Sequence, residues 1–231
     1  MSARVAIELL EARGDEASFA QAIRALDADL AMGESPGLLL ERGYVHEMRG
    51  TSEIREAIRW YERALELDPS FAKAHYQLVG AYVALGQAHD AIARYEHRIA
   101  DAPGDLVAHR CLAHAYVAAG RWDDAHATIE AGRRLAPDDV ILLDVEGSLL
   151  AGTGRADEAL AAWQRALELD TTSIGGHYSR AFLFERLGRL AEAEAEWEAI
   201  IAWSRARGND LDTAWPLREL ARLRGSSEGA G

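Results

Sequence analysis

In AKAHYQLVGAYVAL (residues 72–85) apolar residues fall at Leu78, Ala81, Tyr82 and Leu85, the i, i+3, i+4, i+7 spacing of one helix face. Gly86 follows, suited to the left-handed conformation that closes a helix. A second stripe runs through Ala91, Ile92, Tyr95 and Ile99, and Pro103 stops it. Residues 72–105 therefore predict two amphipathic helices joined by a short turn.

The same pattern recurs along the chain. RALELD stands at 63–68 and again at 165–170, starting 102 residues apart, three times 34. A 34-residue period divides the chain into units 38–71, 72–105, 106–139, 140–173 and 174–207, which abut without an insertion. The twentieth position reads Ala57, Ala91, Ala125, Ala159 and Ala193. The fifteenth reads Ser52, Gly86, Gly120, Gly154 and Gly188, and the thirty-second Pro69, Pro103, Pro137, Thr171 and Arg205. The twenty-fourth is bulky throughout: Tyr61, Tyr95, Ile129, Trp163 and Trp197. Alanine suits a close helix crossing, where a larger side chain would force the axes apart, and the bulky position fills the space between hairpins.

Glycine at fifteen, alanine at twenty, an aromatic at twenty-four, Ala64 and Ala166 at twenty-seven and proline at thirty-two resemble the tetratricopeptide repeat (TPR) family over residues 38–207. The periodicity predicts an all-α fold. The resemblance implies a right-handed α-solenoid of about five TPR helix-turn-helix repeats with helical caps. Residues 1–37 read as a divergent N-terminal helical pair (3–13 and 16–32), 208–224 as a C-terminal capping helix centred on 212–224, and 225–231 as a disordered tail. Departures from the family pattern include Glu41, His75, His109, Leu143 and His177 at the fourth position, and Glu146 and Arg180 at the normally apolar seventh. The last two are expected to pair with each other. Met48, Tyr82, Tyr116, Leu150 and Phe184 at the eleventh read as a core stripe. Thr172 and Ser173 are placed to cap the following helix.

The formal charge is −13, from 38 acidic against 25 basic residues, which argues against nucleic acid and anionic membranes as partners. Only one basic residue is a lysine, Lys73, a bias that fits GC-rich codon usage. A single cysteine, Cys111, excludes an internal disulfide and any paired-cysteine metal site. No apolar signal segment and no membrane-length apolar run is visible, so a cytoplasmic setting is expected.

No phosphate-binding loop, zinc-protease or nucleophile-elbow motif occurs, and AGTGRADEA is a turn between helices rather than a phosphate cradle. No catalytic residue, cofactor or metal is therefore expected. His75, His109 and His177 share one repeat position and read as packing residues, while His89 and His97 read as solvated.

The inward-facing fifth, ninth and twelfth positions, taken from the family, give Arg42, His46 and Arg49, then Tyr76 with Gln77 beside it, then Arg110 and His114. Later units supply Asp144, Ser148, Tyr178, Phe182 and Glu185. Arginine's planar fork binds carboxylates, so the first cluster could hold an acidic segment, with Tyr178 and Phe182 as apolar contacts. The carboxylate clamp of some family members, built from Lys and Asn, is not reproduced. The competing reading has these arginines solvated or paired with neighbouring glutamates.

The expected function is a non-catalytic adaptor or scaffold that binds a peptide or partner protein in a concave groove. The alternatives are a homo-oligomeric scaffold that self-associates through the C-terminal helix, motivated by Trp203 and Trp215, or a small-molecule or enzymatic groove using His46 and His114.

Overall fold

The computed structural model describes residues 3–50, 53–171, 174–206 and 213–228, and among these lie thirteen helices and no strand. An N-terminal pair, α1 (Ala3–Arg13) and α2 (Glu16–Met32), precedes five more pairs. These are α3 (Pro36–Met48) with α4 (Ile54–Leu67), α5 (Ala72–Ala84) with α6 (Ala88–Asp101), and α7 (Leu106–Ala118) with α8 (Trp122–Leu135). Then come α9 (Val140–Gly152) with α10 (Ala156–Leu169), α11 (Gly175–Arg186) with α12 (Leu190–Ala206), and α13 (Ala214–Glu228) closes the chain. The fold is an all-α helical-repeat solenoid.

The chain divides into two compact units, Met1–Arg121 and Trp122–Gly231. In the first, α3 packs on α4 and α5, and α5 on α6 and α7. In the second, α9 packs on α10 and α11, and α13 on α12. First helices thus lie beside first helices, the arrangement that makes a common face of them. The periodic residues explain the packing. All five twentieth-position alanines have no exposed surface, and the bulky twenty-fourth residues are at most 3 % exposed. Gly86, Gly120, Gly154 and Gly188 take φ of +71°, +69°, +81° and +71°, and the next residue's N–H bonds the carbonyl five residues back, for example Gln87 to Tyr82 at 2.8 Å.

The first repeat departs from the expected register. Its first helix starts at Pro36, 36 residues before α5 starts at Ala72, whereas α5, α7 and α9 start 34 apart. Gly50, with φ of +105°, ends that helix and takes the role expected of Ser52, which lies outside the described residues. The turn therefore holds two extra residues, and every α3 side chain moves two places along the repeat. Two contacts confirm the shift. A Cβ added at Gly43 would meet the Tyr61 ring at 2.3 Å, as one at Gly147 would meet Trp163 at 2.3 Å, although the first pair is 18 residues apart and the second 16. Likewise Tyr61 Oη donates to Glu47 at 2.7 Å across 14 residues, and Trp197 Nε1 to Glu185 at 3.0 Å across 12. Leu39, fully buried, thus holds the fourth position in place of Glu41, and Met48 is not core but 37 % exposed.

Other expectations shift as well. Glu146 accepts two bonds from Arg133 of α8 (2.9 and 3.0 Å), and Arg180 pairs with buried Glu196 of α12 at 2.8 Å, so the two do not pair with each other. Position-thirty-two prolines follow α4, α6 and α8; in the last repeat, where Arg205 stands there, α12 runs on to Ala206. Ile174 precedes α11 without a side-chain cap, and Thr172 and Ser173, expected to supply one, lie outside the described residues. The last helix continues to Glu228, past the expected end at 224, which leaves only 229–231 of the expected tail, outside the described residues. Its Leu220 and Leu223 are buried in one cluster with Trp197, Ile200 and Ile201.

Candidate functional site

The register shift decides the fate of the N-terminal arginine cluster. With α3 displaced, Arg42 and His46 hold the seventh and eleventh places of the repeat and are turned into the packing against α2. Arg42 is 8 % exposed, and its Nε donates to Asp27 of α2 at 3.1 Å while its guanidinium lies 5.0 Å from the Trp60 ring centre. Its NH1 meets His46 Nε2 at 2.5 Å. Arginine can only donate, so His46 Nε2 accepts and Nδ1 carries the proton, donating to Glu53 Oε2 at 3.1 Å. Burial holds the His46 pKa below its ordinary value, with Arg42 adding to the effect and the Glu53 hydrogen bond opposing it. Arg49 is bound to Glu16 at 2.7 Å and Glu53 at 3.3 Å and covers the Phe19 ring at 4.4 Å. These three side chains tie the N-terminal pair to the first repeat, each with a carboxylate of the same unit in contact with it directly or through its neighbour.

Further along the first unit the expected register holds. Arg110 NH1 donates to Tyr76 Oη at 2.7 Å, so fifth-position side chains of α5 and α7 meet across the face of the first helices. Gln77 is half-buried beside them, and His114, one turn beyond Arg110, is exposed. Cys111 is buried and its thiol is pushed up to about 12 by burial, which suits packing and not nucleophilic chemistry.

His75 and His109 have structural partners. His75, 1 % exposed, has its Nε2 between Arg98 NH1 (2.7 Å) and the Pro69 carbonyl (3.0 Å), and its Nδ1 bonds Tyr95 Oη at 3.0 Å. His109 Nδ1 bonds the Asp105 carbonyl at 2.9 Å. His177, half-buried, meets Glu196 at 2.6 Å. Among the described residues no group of three or more His, Cys, Asp or Glu side chains is arranged to hold a metal ion.

In the second unit Tyr178 and Phe182 come together with two tryptophans. Tyr178 stacks on Trp215 of α13 (5.5 Å between centroids, 20° between planes) and meets Trp197 edge-on at 5.7 Å. Phe182 lies 5.4 Å from Trp197 and 5.9 Å from Trp215. Trp197 is fully buried at the base, whereas Phe182 and Trp215 remain 44 % and 40 % exposed, with Leu217 beside them in sequence at 40 %. Glu185 fixes the floor by accepting from Trp197 Nε1, and it also pairs with Arg222 of α13. By sequence Trp215 belongs to a separate flank; the capping helix in fact brings it onto the face formed by α11.

One more fifth-place residue stands out. Asp144, at the fifth place of α9, has a buried Oδ1 with no hydrogen-bond partner, and burial pushes its carboxyl up to about 6. The nearby donors Ser148 Oγ (3.2 Å) and Trp163 Nε1 (3.0 Å) are both spent on its backbone carbonyl.

Known proteins share this repeat geometry. Residues 83–144 match the family model described as tetratricopeptide repeat, and residues 52–78 match the model described as TPR repeat. A thermophilic TPR protein of Thermus thermophilus superimposes with a TM-score of 0.63 at 24 % identity, covering 82 % of this chain and 98 % of that one. A tetratricopeptide repeat protein from Parabacteroides merdae ATCC 43184 gives a TM-score of 0.53 at 16 % identity, covering 96 % and 93 %. At these identities the likeness concerns the fold. Among curated proteins none matches the sequence.

Proposed function

We propose that this chain, a tetratricopeptide-repeat protein, is a binding module that takes a segment of a partner protein on the face formed by its first helices. Repeats of this family generally mediate protein–protein interaction and are generally non-catalytic. The observation that carries the reading is the aromatic patch of the second unit. Phe182 and Trp215 stay exposed above a buried tryptophan, although a folded chain gains by covering such rings. Large aromatic side chains seated on a rigid base are the usual energetic anchors of an interface.

In the first unit, Tyr76, Gln77, Arg110 and His114 remain candidates for polar contacts on the same kind of face. Arg42, His46 and Arg49 do not join them, because their partners lie within their own unit. With them goes most of the case for an acidic ligand, since Arg110 is itself bonded to Tyr76.

The test is a photo-cross-linking residue at position 182, with position 161 on the exposed side of α10 as control. Cross-linking from 182 alone is expected, and the segment so marked, synthesised and measured with purified protein, should lose at least tenfold in affinity on Phe182→Ala or Trp215→Ala. Equal cross-linking from both positions, or unchanged affinity in both variants, would take the patch out of the site.

A further inference from the structure

We infer that the first-helix face of the second unit receives a basic side chain, arginine or lysine, of the bound segment at Asp144, next to the aromatic patch that takes an apolar side chain of the same segment. The inference rests on the binding function proposed above and adds the chemistry of the partner.

Position comes first. Asp144 stands at the fifth place of α9 and Tyr178 at the fifth place of α11, one repeat further on. In the first unit the side chains at that place in successive first helices, Tyr76 and Arg110, touch at 2.7 Å. Fifth-position side chains therefore converge on one face, and Asp144 and Tyr178 are the corresponding pair in the second unit. Adjacent packed helices lie about 10 Å apart, which an extended segment spans in about three residues at ~3.3 Å each.

Its neighbours leave the carboxylate unserved. Oδ1 is buried without a partner, and the two side-chain donors that reach Asp144, Ser148 Oγ and Trp163 Nε1, bond its backbone carbonyl instead. Several charges on the flanking helices are held by other partners. Glu146, the only other charged side chain of α9, is held by Arg133 of α8. On α11, Arg180 and His177 are held by Glu196, and Glu185 by Arg222 of α13. On α10, Arg165 lies 3.5 Å from Asp138. An unpaired carboxylate in such a place is costly, and a cation brought by a ligand removes that cost. The formal charge of −13 acts in the same direction, drawing basic segments and repelling acidic ones.

The test compares two capped peptides that differ in one residue, arginine in one and its uncharged isostere citrulline in the other, each with phenylalanine three residues on. At pH 7.5 the arginine peptide should bind at least tenfold tighter, and Asp144→Asn should reduce the difference to less than twofold. Phe182→Ala should weaken both peptides alike. By linkage, a tenfold preference for the ionised form means that saturating arginine peptide lowers the Asp144 titration midpoint, read by side-chain carboxyl NMR, by about one pH unit. Equal affinity of the two peptides, or an arginine preference that survives Asp144→Asn, overturns the inference. The binding face itself still stands in that case if Phe182→Ala weakens both. If the native protein binds neither peptide, the inference and the proposed function fall together.

Discussion

A single carboxylate illustrates how much one side chain can reveal. Asp144 has its pKa raised to about 6 from an ordinary 3.8 by burial alone. The folded chain therefore binds the proton more tightly than the unfolded chain does. Stability is full below the unfolded value and declines as the pH rises through about 4 to 6, so the ionised group is a burden at neutral pH. Two pH units correspond to about 3 kcal/mol, which partial solvent access trims toward about 2 kcal/mol. Asp144→Asn should accordingly stabilise the protein by about 2–3 kcal/mol in urea denaturation at pH 7.5 and by nothing measurable at pH 3.5. A gain of equal size at both pH values would trace to packing and not to charge. Half-buried His46 and buried His75 act with the opposite sign, because loss of solvent lowers their pKa values. The unfolded chain takes up their protons first, so they cost stability as the pH falls below the ordinary histidine value of about 6.5.

Helix pairs carry their own prediction, set by how closely their backbones approach. Gly147 lies under Trp163, where an added Cβ would come within 2.3 Å of Nε1, the atom that donates to the Asp144 carbonyl at 3.0 Å. Gly147→Ala should therefore displace the indole and cost about 1–3 kcal/mol, in line with overpacking elsewhere. Gly80, mid-helix in α5, has nothing within 4 Å of its Cβ position, so Gly80→Ala should stabilise by about 0.5–1 kcal/mol through helix propensity. Thermal denaturation of the two variants checks both signs. At this scale the period is readable wherever side chains pack against one another, which is why the alanines and the twenty-fourth residues locate all five second helices. It fails in the first turn, where nothing packs to hold the count. The one sequence signal there is Ser52 in place of glycine, with Gly50 two residues earlier. That slip moves Arg42 and His46 from the packing against α2 to an imagined groove. Trp215 escapes the sequence reading of the site because it follows the last repeat, where the period no longer dictates what packs on what. The unpartnered state of Asp144 depends on where Ser148 and Trp163 aim their donors, which no spacing encodes.

At the scale of the whole molecule, net charge separates the two classes of occupant for the exposed rings. A second copy of the chain would bring −13 against −13, whereas a basic segment would be drawn in. Both effects weaken as salt shortens the Debye length from about 20–30 Å near 10–20 mM to about 4 Å at 0.5 M. Self-association through Trp215 and Leu217 should thus be weakest at low salt and grow with it, while the affinity of the arginine peptide should fall by several-fold over the same range. The buried half of α13 gives no help to a dimer, because Leu220 and Leu223 are already spent within the chain, leaving only Trp215 and Leu217 as large apolar side chains exposed along that helix among the described residues. Two such residues fall far short of the roughly 800 Å² per partner that a stable interface needs. Sedimentation at 20 mM salt should therefore show a monomer, with the citrulline peptide's affinity almost independent of salt. A dimer that persists at 20 mM salt and dissociates on Trp215→Ala would mean that the rings are covered by a second copy, and the patch would have to be reassigned from partner to self.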